Sequence, residues 1–344
     1  MTEIGSINHN KTWFRLRRIL TLAAQIALVL IIILGIFIAW RKAFGRLPFG
    51  CPPACVSVDL WGKDLTGEDL HEARLVEADL RQAVLARANL HRADLSGANL
   101  TGARLDQADL TSAILIGAQI EEASLSGVNL AGANLSGASL LDTELNGVDF
   151  TQQTQLDGVD FSQTSVIGAN FEGVNLAGNE FGMANLTGVN LRNSDLSGVW
   201  LSGSNLSGAD MAGANLSGGW FNISNMRQVD LTGADLRGAL LVGSDLTGAN
   251  LSGAIINGAL LAGSDLSGAN LLDADLSGAI FRPAISFVTR ENLPLDPVLQ
   301  DMSATEWAQL DLSNVVLNGT RYNNNTKWPV GFEPPPNSVF VFED

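Results

Sequence analysis

Residues 93–107 read ADLSG, ANLTG, ARLDQ, three phrases of five with Leu in the middle of each and Ala two positions before it. A spacing of five fits neither the two-residue alternation of a strand nor the 3.6-residue turn of a helix. Working outward, every fifth residue from Leu60 to Phe150 is Leu, Ile or Phe. The stretch TQQTQ at 151–155 shifts the frame by one, and the rule resumes from Leu156 to Phe281, with Val166, Met211 and Met226 as its softest members. Two residues before each centre stands Ala, Ser, Val, Thr or Gly, except at Lys63, Glu68 and Asn179.

Self-similarity at a fixed short period predicts a solenoid, in which no unit buries its apolar residue alone and each leans on stacked neighbours. If the large centre and the small residue before it both point inward, the chain turns steadily about an axis. The Gly of SG and TG then falls at the corners, where a positive φ is cheap for Gly. Chemically matched residues recur at a spacing of 20: Glu72 with Arg92, Arg74 with Asp94, Trp61 with Arg81, His71 with His91. Four units per coil, a square section, fit that order. A three-sided coil of 15 would place Trp200 on Asn215 and Trp220 on Asp235, and gives none. The expected fold is all-β, a parallel β-helix of about 11 coils, stacked at roughly 4.8 Å into a rod of about 54 Å.

Units such as ADLSG at 93–97 and ANLSG at 249–253 match A(D/N)LXX, so residues 58–282 resemble the pentapeptide repeat family. The resemblance implies a right-handed quadrilateral β-helix and a mostly non-catalytic, functionally varied group of proteins. Some members of that family resemble duplex DNA in charge and width and bind topoisomerases.

The flanks differ in composition. Residues 1–50 hold seven Lys/Arg and one acid, in a chain whose formal net charge is −16. Ile19–Trp40 contains no charge in 22 residues, enough for one transmembrane α-helix. A signal peptide has a shorter apolar core and a small-x-small cleavage site, which AWRKAFG is not. Four basic residues before the span and three after it lean toward an N-terminus in the cytoplasm and a solenoid outside. The expected organisation is a basic tail at 1–18, the span at 19–40, a Pro/Cys linker and cap at 41–57, the solenoid at 58–282, and an excursion with a terminal partial coil at 283–344. Cys51 and Cys55 in CPPAC either close a small disulfide or stand as two thiols beside a Pro-Pro linker. Asp296-Pro297 and the Ser303/Glu306 pair carry helix-start signals within the excursion.

No enzyme is expected. Three His, two Cys and one Tyr supply no nucleophile-base set, no phosphate loop and no metal spacing, and His71, His91 and Glu72 read as exposed surface residues. No cofactor or small-molecule substrate is implied. The Asp and Asn before each centre sit singly on a lattice, as local backbone acceptors.

One slot breaks the lattice. Trp200, Trp220, Leu240, Leu260 and Ile280 occupy the Asp/Asn position at successive intervals of 20, flanked by Val242 and Ala262, whereas Val84, Ile114 and Ile255 are sporadic. The stripe either seats residues 283–310, whose Val298, Leu299, Met302 and Trp307 follow it directly, or docks a second copy or another protein. Between Leu105 and Leu191 there is no Lys or Arg but eleven Asp/Glu, a stretch that repels nucleic acid and suits a basic partner. The functional expectation is a non-catalytic, single-pass scaffold for protein interaction or assembly in a bacterial membrane. The alternative is an acidic DNA mimic that regulates a type II topoisomerase.

Overall fold

The computed structural model describes residues 55–281, 317, 320–329, 332–334 and 338–340. Within them the chain coils so that each slot pairs in parallel with the slot one coil on: Arg74 with Asp94, Asp94 with Ile114, Trp200 with Trp220. The spacing is 20, so four five-residue units complete a turn. Pairing proceeds through isolated bridges, and the regular strands among the described residues are β1 (Arg321–Tyr322) and β2 (Val339–Phe340), paired in parallel at the C-terminal end.

The unit Asp94-Leu95-Ser96-Gly97-Ala98 shows why the sequence takes this form. Asp94 N donates to Ala73 O of the coil before, while Leu95 N and Gly97 N donate to Ile114 O and Ile116 O of the coil after. Ala98 N closes a turn on Leu95 O. The remaining donor, Ser96 N, has no backbone carbonyl in reach and is taken by the Asp94 carboxylate at 3.1 Å. All five N–H groups are thereby satisfied. The Asp/Asn of the repeat thus accepts a donor that the turn leaves without a backbone carbonyl. The turn also needs φ near +60° at its third residue, here Gly97, as type II turns do.

The core is a column of the large centres, nearly all fully buried, with the small residues two positions earlier packed beside them. The extra residue of 151–155 is absorbed in one corner: Asn134–Gln155, Ser139–Asp160, Glu144–Ser165 and Asp149–Asn170 pair at 21, and 20 returns at Asp160–Glu180. Four phenylalanines bracket that corner. Phe150 stacks on Phe171 at 4.3 Å and Phe161 on Phe181 at 4.5 Å, with edge contacts across the core. Their bulk fills a section that the longer coil widens. Asn179, one of the three exceptions to the small-residue rule, is buried here; it donates to Leu156 O and accepts from Gly158 N, repairing the ladder one coil on. Lys63 and Glu68, the other two, lie in the first described coil.

At the far end Asn270 pairs with Arg321 and Asp275 with Lys327, and Phe281, Tyr322, Trp328 and Phe332 form an aromatic cluster. No helix among the described residues is long and apolar enough to cross a membrane; the span expected at 19–40 lies outside them. Cys55 is buried and carries no free thiol, while Cys51 lies outside the described residues.

Candidate interaction faces

On three faces the lattice slots are polar and self-contained apart from single apolar residues at Val84, Ile114 and Ile255. Asn185, Asn205, Asp245 and Asp265 each accept the N–H two residues on, from Thr187, Ser207, Thr247 and Ser267. Carboxamides also reach along the column, Asn205 Oδ1 accepting from Asn225 and Asn250 Oδ1 from Asn270. Carboxylates beside a cation are held below the usual range, Asp235 by Arg237 here and Asp79 by Arg81 in the coils that precede the stripe, in both cases chiefly through the side-chain hydrogen bond. Of the pairs expected from the spacing, Glu72 meets Arg92 at 3.4 Å with both exposed, whereas Arg81 turns to Asp79 and leaves Trp61 open to solvent.

The fourth face carries the stripe. Its bridges run unbroken through Trp200, Trp220, Leu240, Leu260 and Ile280, with Glu180 below. Trp and Leu cannot accept a turn N–H, and at Val242 that donor is taken by Asn222 Oδ1 of the preceding coil, at 2.9 Å. Three features of this face are absent from the sequence reading. Gly182 stands in a slot that needs no positive φ, yet a Cβ there would lie 2.9 Å from the Trp200 ring, so the indole rests on it. Ile223 occupies the corner slot at φ 56°, a conformation that β-branched residues avoid. Asn222 is fully buried. A glycine outside the corner slot and an isoleucine within it were the available signals.

His71 Nδ1 lies 2.9 Å from Asp69, and no cluster of three His, Cys, Asp or Glu suited to a metal occurs among the described residues. Ile114 and Ile255 are exposed singly. The stretch from 106 to 190 presents its acids on several faces, none gathered into a focus.

The description "Pentapeptide repeats" matches the chain in overlapping copies over residues 64–152 and 154–282, leaving out the corner residue Gln153. The chain belongs to the pentapeptide repeat family. Pentapeptide repeat proteins fold as right-handed quadrilateral β-helices, which the bridges at 20 describe here. Solved structures similar to this pentapeptide repeat chain include HetL of Nostoc sp. strain PCC 7120, a protein involved in heterocyst differentiation regulation. It is 25% identical over 82% of this chain and 94% of its own, with a TM-score of 0.23. The plasmid-mediated fluoroquinolone resistance protein QnrB1 is 21% identical over 53% of this chain and 81% of its own, TM-score 0.29. A pentapeptide repeat protein of the Arabidopsis thaliana thylakoid lumen is 29% identical over 33% and 68%, TM-score 0.18. No curated protein matches the chain.

Proposed function

We propose that this pentapeptide repeat protein is a non-catalytic scaffold for protein interaction or assembly, held at a bacterial membrane by residues 19–40. The observation that carries the non-catalytic reading is what the lattice does with its polar groups. The Asp and Asn side chains that would be candidates for acid-base chemistry are committed, column after column, to the N–H groups of their own turns. What such a rod offers a partner is a rigid surface with fixed spacing. The charge-free run at 19–40 supports the anchor, and the basic residues on either side of it give the slight lean toward a solenoid outside the cytoplasm. Fractionation tests this reading: full-length protein should require detergent to leave the membrane pellet, and uncleaved protein in the soluble fraction excludes the anchor. A pull-down from detergent-solubilised membranes should then return a protein partner or a second copy.

The absence of Lys and Arg between Leu105 and Leu191 supports a second reading, an acidic rod that engages a type II topoisomerase in place of DNA. A supercoiling assay separates the two, since a scaffold leaves gyrase-type activity unchanged at micromolar concentration.

A further inference from the structure

We propose, on the anchor reading above, that over the first coils the face carrying Arg74, Asp94, Ile114 and Asn134 lies against a lipid bilayer, so that the opposite face and the far coils remain for a protein partner. Outward apolar side chains gather on this face. In the slot after each centre it holds Val56, Val76, Ser96 and Ile116 in successive coils, and Ile114, single in its own column, sits beside Ile116. Val56 is 49% exposed, Ile114 38% and Ile116 46%. Through the same coils the opposite face carries Thr66, Ala86, Asp106 and Ser126 in that slot.

The apolar character also ends abruptly. Beyond Ile116 the same column continues as Ser136, Asp157, Ala177 and Ser197, and it has no large apolar member as far as Ser277. It is therefore confined to the end of the rod that follows residues 19–40. Charge changes at the same place: residues 55–104 hold six Lys/Arg against eight Asp/Glu, whereas 105–191 hold none against eleven. The near-neutral end can approach a bilayer, while anionic headgroups repel the acidic coils beyond it. Arg74, exposed beside Val76, can lay its stem on the apolar surface and keep its guanidinium among the headgroups. Trp61, 61% exposed on the adjoining face of the first coil, is of the residue type that collects at headgroup level.

Chain length points to a bilayer as the occupant. Fourteen residues separate Trp40, the end of the charge-free run, from Cys55, and fully extended they span at most about 50 Å. A rod tethered so closely meets the bilayer surface intramolecularly, ahead of any partner in solution. From Val56 to Ile116 is three coil steps, about 14 Å at roughly 4.8 Å each. Aliphatic tips spaced along a flat strip of that length suit a fluid surface into which they can dip, whereas a protein partner draws its affinity from a closely packed central anchor.

The full-length chain, reconstituted into vesicles of phosphatidylcholine, carries a fluorescent amino acid at position 116 and, in a control, at position 126, half a coil away on the opposite face. Flotation first reads whether the chain is anchored. Lipid bearing a nitroxide near its headgroup should then quench position 116 at least about twofold more than position 126. Equal quenching of chain that floats with the vesicles overturns the proposal and leaves the anchor standing; chain that does not float overturns both. Independently, I114N/I116S gives both slots the residues found one coil on, at Asn134 and Ser136. It should keep the melting temperature and lower the quenching of a probe at position 96 by about half or more; unchanged quenching at 96 also overturns the proposal.

Discussion

The column Asn185–Asn205–Asn225–Asp245–Asp265 and the column Trp200–Trp220–Leu240–Leu260–Ile280 are built on the same backbone, with the same bridges and the same core behind them. They differ in one slot. The polar column closes its own turns, so its outer surface needs nothing further and can face water indefinitely. The apolar column gives up that acceptor, borrows Asn222 from the preceding coil at one site, and presents a surface that water does not favour. The difference separates two kinds of information in the repeat: the centres and small residues specify the fold, and the slot before each centre specifies what each face meets.

That separation can be broken first in the core. Phe221 lies behind Trp220 and Phe171 behind Asn170, and both are fully buried. Phe221→Ala and Phe171→Ala should each cost about 3–5 kcal/mol in chemical denaturation. A much larger loss at Phe221 would mean that the core and the stripe are not independent.

Next comes the stripe itself. W200N/W220N restores an acceptor at two turns but removes two large apolar surfaces. If residues 283–310 seat there, the variant should lose a few kcal/mol in thermal or denaturant melts. If another molecule docks there, the melt should hold while association is lost, and an unchanged variant in both respects would make the stripe equivalent to the polar columns.

The corner offers a smaller contrast. Gln228 and Ile223 both hold positive φ, at 56°. Gln228→Gly should gain up to about 1 kcal/mol by relieving the turn. Ile223→Gly relieves more strain but surrenders a half-buried apolar side chain, so it should gain less than Gln228→Gly or destabilise; a larger gain would show that nothing grips Ile223.

The smallest effect lies at the C-terminal coil. Lys327 donates to Asp275 at 2.7 Å and, as the largest influence, lowers its carboxyl from 3.8 to about 2. A depressed carboxyl stabilises the fold above its unfolded value, and the contribution is lost as pH falls from about 4 to about 2. Lys327 is 65% exposed, so screening keeps the pair under about 1 kcal/mol. Lys327→Met should flatten the acid limb of the melting profile over that range.

Much of this was legible in sequence because the repeat makes each residue's environment a copy of its neighbours'. The period of five, the spacing of 20, the glycine corners and the alignment of Trp200 with Trp220 needed no knowledge of distant contacts. Gly182 and Asn222 were not legible by that route. Their roles depend on one particular residue a coil away, the Trp200 ring over Gly182 and the Val242 N–H on Asn222 Oδ1. Asn179 was visible as an exception, but its purpose is set by the displaced corner at 151–155, which a pattern records only as a shift in phase.

That corner has a mechanical meaning. Among the described residues, the interior bridge ladder has no rung from Asn129 to the coil after it and none from Gln155 to Asn175. Pulled from its two ends, a stack of nearly equal rungs yields where rungs are missing, and the paired phenylalanines on either side would bear the load once the backbone lets go. A rod tethered at one end and held by a partner at the other would carry a built-in fuse at mid-length. Force spectroscopy would register it as the lowest rupture step, well before the coils on either side begin to peel.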